Sequence, residues 1–300
     1  MTVQSPAPLH LRLPATSANL GPGFDAVGLA LALYLTIDAM ASEDFRIEAT
    51  GRNADLCGDV ERSLILTTYR EILGVGAPSL ALTLHNEIPL GMGCGSSAAA
   101  LLAGVLLADH FGRLGWTDQQ ILEEACSREG HPDNVAACWS GGMTCSATVD
   151  GSVITATCGL DLDWQILVAL PASSLATSEA RALLPATYSR ADAVANVQST
   201  ALLVAAFCQG RGDLLRYAMR DRLHQPYRSE ACPLLPALLP LLAEPGVLGV
   251  ALSGAGPSVL ILIDKVSEVA GFVRMVHRLS GPMPVEVVET VISSGCNEKS

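Results

Sequence analysis

The stretch Gly91-Met92-Gly93-Cys94-Gly95-Ser96-Ser97-Ala98-Ala99-Ala100 decides how this chain is read. Three glycines and two serines stand between an alternating apolar segment, Leu80 to Ile88, and an unbroken helical one, Ala98 to Phe111. A helix that opens on such a loop aims unpaired backbone N–H groups and the positive end of its dipole at one point. That makes an anion site, and most often a phosphate site. The two serines add hydroxyl donors, or an oxygen ligand for a metal.

Two better-known phosphate loops compete for this stretch. A Walker loop needs Gly-Lys-[Ser/Thr] at the helix start, and the only lysines of the chain are Lys265 and Lys299. A dinucleotide fingerprint is closer, because Gly93, Gly95 and Ala98 fit G-x-G-x-x-A. The preceding strand, however, alternates with polar Thr83, His85 and Glu87, whereas a buried parallel strand reads as continuously apolar. The loop also lies nearly a third of the way along the chain, not after a first strand. The plain alternative is a flexible turn over a core helix.

Composition narrows the function classes. Half of the 300 residues are hydrophobic and 16% are charged, enough for a large core and for two domains. The net charge of −12 argues against a general nucleic-acid or anionic-membrane binder, which needs a basic face. No basic start and apolar run marks a signal peptide. The longest uncharged apolar block, Ala98 to Ala108, is far short of the roughly 20 residues of a membrane span. Nine scattered cysteines with no C-x-x-C spacing fit reduced, mostly buried thiols in a cytoplasmic protein better than a disulfide or zinc framework.

Outward from the loop, the first 160 residues read as mixed strand and helix. Strands are expected at Leu9 to Leu13, Val27 to Ala39 and Phe45 to Ala49, with a loop over Pro14 to Asp25 and a helix over Leu64 to Leu73. Thr117-Asp118-Gln119-Gln120 has the capping-box pattern for a helix ending near Gly130. Val149-Asp150-Gly151-Ser152 signals a hairpin. A second pattern starts at Asp161. It has strands at Trp164 to Leu170, Val247 to Leu252 and Val259 to Ile263, a helix over Val266 to Leu279, a strand over Pro284 to Val291 and a frayed tail from Asn297 to Ser300. Strands interleaved with helices indicate an α+β sandwich.

Three small-residue loops now stand out, near positions 14–25, 91–98 and 253–258. Together they resemble the three motifs of the GHMP small-molecule kinases. The middle motif of that family, P-x-x-x-G-[L/M]-G-S-S-A, is here Pro89-Leu90-Gly91-Met92-Gly93-Cys94-Gly95-Ser96-Ser97-Ala98, with Cys94 where Leu is usual. Four segments resemble the branch of the family that acts on homoserine: Pro14 to Asp25, Glu129-Gly130-His131-Pro132-Asp133-Asn134-Val135-Ala136, Ser178 to Pro185, and Pro226-Tyr227-Arg228. The likeness spans residues 10 to 290.

The resemblance implies a two-domain α+β fold. Residues 1–160 would form an N-terminal, ribosomal protein S5 domain 2-like part that binds ATP, and residues 161–300 a ferredoxin-like C-terminal part, with the site in the cleft between them. It implies phosphorylation of the L-homoserine side-chain hydroxyl, with ATP and Mg2+. The phosphates would lie on Pro89 to Ala99. The Mg2+ ligands would be Ser97 and one glutamate, Glu129 being favoured over Glu123. Homoserine is a zwitterion. Its carboxylate needs forked cations, which Arg181 and Arg228 offer. Its ammonium needs acceptors, which Asn19 and Asp25 offer. By resemblance His131 and Thr177 complete the pocket. Phosphoryl transfer needs mainly positioning and charge neutralisation. No base is evident: Asp25 would orient the hydroxyl, and Asn134 would hydrogen-bond the phosphoryl group or the attacking oxygen. The partner expected is this small molecule, with no nucleic acid and no membrane, and a homodimer is held open as the assembly.

Overall fold

A computed structural model describes residues 6–265 and 267–296. The spine of the first half is a 19-residue strand, β2 (Gly23–Ala41). Strand β1 (Leu9–Asn19) pairs antiparallel along it. β3 (Arg46–Gly51), β4 (Leu80–Asn86), β5 (Met143–Val149) and β6 (Ser152–Cys158) complete a six-stranded sheet, ordered β3-β4-β2-β5-β6 with β1 beside β2. β4 runs antiparallel to β2 and parallel to β3, so this is not the all-parallel sheet of a dinucleotide fold.

Helices cover the sheet. A short α1 (Ala54–Cys57) precedes α2 (Leu64–Leu73), whose bounds are those expected from the sequence. The apolar run after the glycine loop is α3 (Ser96–Gly112), and its residues are mostly buried because β1, α2 and α4 pack around it. α4 (Asp118–Glu129) starts on a complete capping box between Thr117 and Gln120 and stops at Gly130 in the left-handed conformation, as the spacing predicts. α5 (Asp133–Ser140) crosses β1 and β2. The β5–β6 hairpin turns on Asp150 and Gly151, both with positive φ.

The second sheet contains β7 (Gln165–Pro171), β8 (Val247–Leu252), β9 (Val259–Ile263) and β10 (Val285–Val291), all antiparallel and ordered β10-β7-β9-β8, the ferredoxin-like order. Between β7 and β8 lie α6 (Thr177–Ala182), α7 (Arg190–Gln209), α8 (Leu215–Ala218), α9 (Gln225–Arg228) and α10 (Leu234–Leu238); α11 (Val269–Ser280) follows β9. Its expected start at Val266 and the expected tail over Asn297 to Ser300 lie outside the described residues. The unbroken apolar run of β7 has a physical cause. Ile166, Val168 and Leu170 join the core that also holds α3, while Leu167 and Ala169 join a second core under α10 and α11. A strand buried on both faces has no polar alternation to show.

Two expectations change. Pro14 to Asn19 is strand, not loop: β1 continues through it with two register shifts, and only Leu20 to Pro22 turn. Ala98 to Ala108 is also not the span nearest to membrane length. Among the described residues, α7 alone is long and apolar enough to cross a membrane by length and composition. It packs instead on the globule, burying Leu203, Ala206 and Phe207, and its Asn196 amide donates to the Pro22 carbonyl at 2.7 Å.

Candidate active site

Three loops converge where the two sheets meet. The glycine loop lies between the end of β1 and the β8–β9 connection. Ser253 Oγ donates to the Gly93 carbonyl (2.7 Å) and lies at hydrogen-bond distance from Ser17 Oγ (2.9 Å), Gly254 N–H donates to the Ala18 carbonyl (3.1 Å), and the Cys94 carbonyl accepts from Thr16 N–H (3.0 Å). Two glycines are dictated by this crowding. A Cβ on Gly93 would stand 2.1 Å from the Ser253 carbonyl oxygen, and one on Gly95 1.8 Å from Thr16 Oγ1; both residues also have positive φ. Burial pushes the Cys94 thiol up to about 12, so it sits neutral beneath the loop.

The loop delivers the N-terminus of α3, whose first turn carries no acidic side chain. The helix's first hydrogen bond runs from Ala99 N–H to the Gly95 carbonyl at 3.0 Å. The N–H of Ala99 is therefore not available to a phosphate, and Ala98 and Ala99 are buried in the core. Gly91, Gly93, Cys94, Gly95, Ser96 and Ser97 line the cavity; Pro89, Met92, Ala98 and Ala99 do not. Leu90 lines a neighbouring apolar cleft, with Leu56, Leu64, Ile88 and Ala100, that shares Ser96 and Ser97 with this cavity.

Across the cavity, Ser97 Oγ donates to Glu129 Oε2 at 2.9 Å. Burial raises the pKa of this carboxyl, outweighing the Ser97 hydrogen bond and the charges of His131 and Arg181, which lower it. Glu123 faces elsewhere, accepting from the Gln119 amide and from Val153 N–H of the hairpin. At the start of α5, the buried Asp133 accepts from His131 Nδ1 (2.7 Å) and from Asn134 N–H (2.8 Å). This contact raises the His131 pKa, and the ring's other nitrogen has no partner among the described residues. Asn134 Oδ1 accepts from Thr16 Oγ1 at 2.7 Å.

The far wall is cationic. Arg181, on α6, donates twice to Asp25, from Nη1 at 3.0 Å and from Nη2 at 2.6 Å. Arg228, on α9, is 1% exposed and donates to the Ala180 carbonyl (3.2 Å) and to His224 Nδ1 (3.1 Å). Both guanidinium groups flank the Phe24 ring, 5.5 and 5.6 Å from its centre. Burial lowers the Arg228 pKa, and the charge of Arg181 lowers it further. Thr177 opens α6 at the cavity wall. Asn19 also lines the cavity, but its side chain is engaged by the backbone, accepting from Asp25 N–H (3.0 Å) and donating to the Gly254 carbonyl (2.9 Å). Thus Asn19 holds Asp25 in place. Phe24, Thr16 and Asp133 belong to the site by contact. Phe24 and Asp133 sit inside the sequence motifs, but nothing in their spacing announces a role.

Two groups of side chains could take a cation. Asp25, His131 and Asp133 bring ligand atoms within 4.8 Å of one another, but Asp25 is engaged by Arg181 and Asp133 by His131. Ser97 and Glu129 offer hard oxygens beside the phosphate loop, the set that suits magnesium.

A loop-braced helix N-terminus opposite paired arginines is the layout of a small-molecule phosphotransferase. The description "GHMP kinases N terminal domain" matches residues 62–142, and "GHMP kinases C terminal" matches residues 203–278. The chain belongs to the GHMP kinase family. It is 47% identical over 280 residues to homoserine kinase of Solibacter usitatus, covering 91% of each chain. It is 41% identical over 261 residues to homoserine kinase of Desulfitobacterium hafniense, covering 86% of this chain and 88% of that one. Among solved structures it is similar to homoserine kinase from Cytophaga hutchinsonii, with TM-score 0.79 and 24% identity over 98% of this chain and 97% of that one. The L. major mevalonate kinase in complex with R-mevalonate shares the fold, with TM-score 0.70 and 15% identity over 98% of each chain.

Proposed function

We propose that the chain is an ATP:L-homoserine O-phosphotransferase, which makes O-phospho-L-homoserine on the way to threonine. The observation that carries this reading is the wall formed by Asp25, Arg181 and Arg228. Arg181 pairs with Asp25 there, while Arg228 is held by a carbonyl oxygen and a ring nitrogen and not by a carboxylate. An amino-acid zwitterion complements this wall. Its carboxylate takes the forks of Arg181 and Arg228, and its ammonium takes Asp25. Binding exchanges the internal Arg181–Asp25 pair for two pairs to the substrate. Mevalonate and shikimate have the carboxylate but no ammonium for Asp25.

The adenine is assigned to the apolar cleft beside Leu90 and Ala100, and the phosphates to the N–H groups of the loop and the first turn of α3. Ser97 and Glu129 fit Mg2+ in oxygen type and position. When bound, that ion would neutralise phosphate charge and relieve the half-buried Glu129 carboxylate. The protein's own part in the transfer is alignment. Asp25 and Arg181 hold the amino-acid end, and Asn134, locked by Thr16 and Asp133, offers its amide to the phosphoryl oxygens or the attacking hydroxyl. Asp133 holds His131 more protonated, so its open ring nitrogen can donate to developing negative charge.

The boundary at 160/161, a cytoplasmic location and a homodimer belong to the same proposal. The first is supported by the two sheets, β1 to β6 and β7 to β10. The last described residues nonetheless return to the first half, where Ile292 bridges Leu31 and Ser294 bridges Gly141. The test is ADP release from Mg-ATP with L-homoserine beside L-threonine, mevalonate and shikimate. Turnover by far the best with homoserine is expected; turnover with another alcohol overturns the substrate.

A further inference from the structure

His224 is 0% exposed, lies one helical turn before Arg228, and makes contacts that the phosphoryl chemistry does not use. Its Nε2 is 2.7 Å from the Gly21 carbonyl oxygen. A carbonyl only accepts, so Nε2 carries the hydrogen. Nδ1 is then a bare lone pair, and it accepts from Arg228 Nη1 at 3.1 Å. The imidazole stacks on Phe24, centroids 5.4 Å apart at 30°, and Phe24 is the ring that both arginines flank. Behind it, the buried Asp221 carboxylate accepts from the N–H groups of Leu223 (2.8 Å), His224 (2.9 Å) and Gln225 (2.6 Å), which fixes the turn that presents the ring.

The geometry points to His224 as a positioning residue for the substrate carboxylate. Its single-tautomer ring ties the first loop, through Gly21 and Phe24, to the Arg228 fork. Arg228 has four rotatable side-chain bonds and no carboxylate hydrogen-bonded to it among the described residues. Nδ1 and the Ala180 carbonyl are the acceptors that hold its guanidinium before substrate arrives. The ring thereby leaves the rest of the fork to the ligand. This inference rests on the homoserine reading and adds to it a residue that never touches the substrate.

The experiment compares His224→Asn, His224→Gln and His224→Leu with wild type, measuring KM for homoserine, KM for ATP, kcat and the melting temperature. Asn places its amide oxygen where Nδ1 stands and so keeps the acceptor for Arg228. Gln places its amide nitrogen near Nε2 and keeps the donor to Gly21. Leu keeps neither. For Leu and Gln, KM for homoserine is expected to rise about tenfold or more, and for Asn by no more than about threefold, with KM for ATP and kcat within about twofold in all. A merely structural role would instead make Asn and Gln alike in KM, with losses that follow the melting temperature. Equal KM values for Asn and Gln overturn the inference, as does a folded Leu variant with wild-type KM. If the Leu variant does not fold, the Asn–Gln comparison still decides. Wild-type enzyme that ignores homoserine would overturn the functional reading and this inference with it, whereas active wild type with unmoved variants overturns the inference alone.

Discussion

Replacing Arg228 by Met should weaken homoserine without weakening the protein. The guanidinium is 1% exposed, its acceptors are a carbonyl oxygen and a ring nitrogen, and the charge of Arg181 stands near it. A buried cation whose hydrogen-bond acceptors are all neutral costs stability, and Met fills part of its length without charge. The variant should therefore melt at or above the wild-type temperature. The substrate carboxylate, in contrast, loses one of its two forks. Hydrogen bonds to charged groups are worth about 1.5–3 kcal/mol, and truncating one partner of a buried charge pair costs about 2–5 kcal/mol. Taking about 3 kcal/mol gives a rise of about 150-fold in KM for homoserine. KM for ATP should stay within about twofold, because the proposed nucleotide sites lie on the opposite wall. Steady-state kinetics with each substrate varied, together with thermal melting, measures all three quantities. Equal effects on both Michaelis constants would refute the carboxylate assignment, and so would a homoserine KM within about threefold of wild type.

Other outcomes follow from the same geometry. Glu129→Gln should cut magnesium-dependent turnover by about a hundredfold and Glu123→Gln much less, read by titrating Mg2+ in the kinase assay; the reverse order would move the metal ligand to Glu123. Gly95→Ala forces a side chain onto Thr16 Oγ1 at a positive φ, so kcat and ATP affinity should both collapse while the far apolar cores persist; near-normal ATP kinetics would contradict the loop geometry. Stability should also depend on pH through His224. Burial lowers its pKa in the folded state from the ordinary 6.5. The unfolded chain therefore takes the proton first, and stability present above about pH 6.5 is lost as pH falls through the folded value. Melting curves from about pH 8 to about pH 5 should fall more steeply for wild type than for His224→Asn, and equal slopes would contradict this.

Much of this was legible in the sequence, for identifiable reasons. The capping box at Thr117–Gln120, the Asp150-Gly151 hairpin and the runs of β8 and β9 are local signals, and each element forms with the expected bounds or within a residue or two. The glycine loop was legible because an anion-binding helix start is written in backbone chemistry. Pro14 to Asn19 was not. Its polar Thr16, Ser17 and Asn19 are buried and satisfied by loops 80 to 240 residues away, so neither alternation nor hydropathy marks it as strand. The true partners of Asn19 were invisible for the same reason. His224 was missed because its meaning lies in distances to Gly21, Phe24 and Arg228; its only sequence trace is a histidine four residues before an arginine.

On the proposed reading both charged ends of the amino acid are recognised, by Asp25 on one side and by Arg181 and Arg228 on the other. The most direct measurement is kcat/KM for L-homoserine beside 4-hydroxybutyrate, which lacks the ammonium, and 3-aminopropanol, which lacks the carboxylate. Homoserine is expected to exceed each analogue by about a hundredfold or more, since a site built for a charge leaves its own groups unpaired when that charge is missing. An analogue turned over within about fivefold of homoserine would show that the corresponding wall does not read the substrate, and would contradict the account.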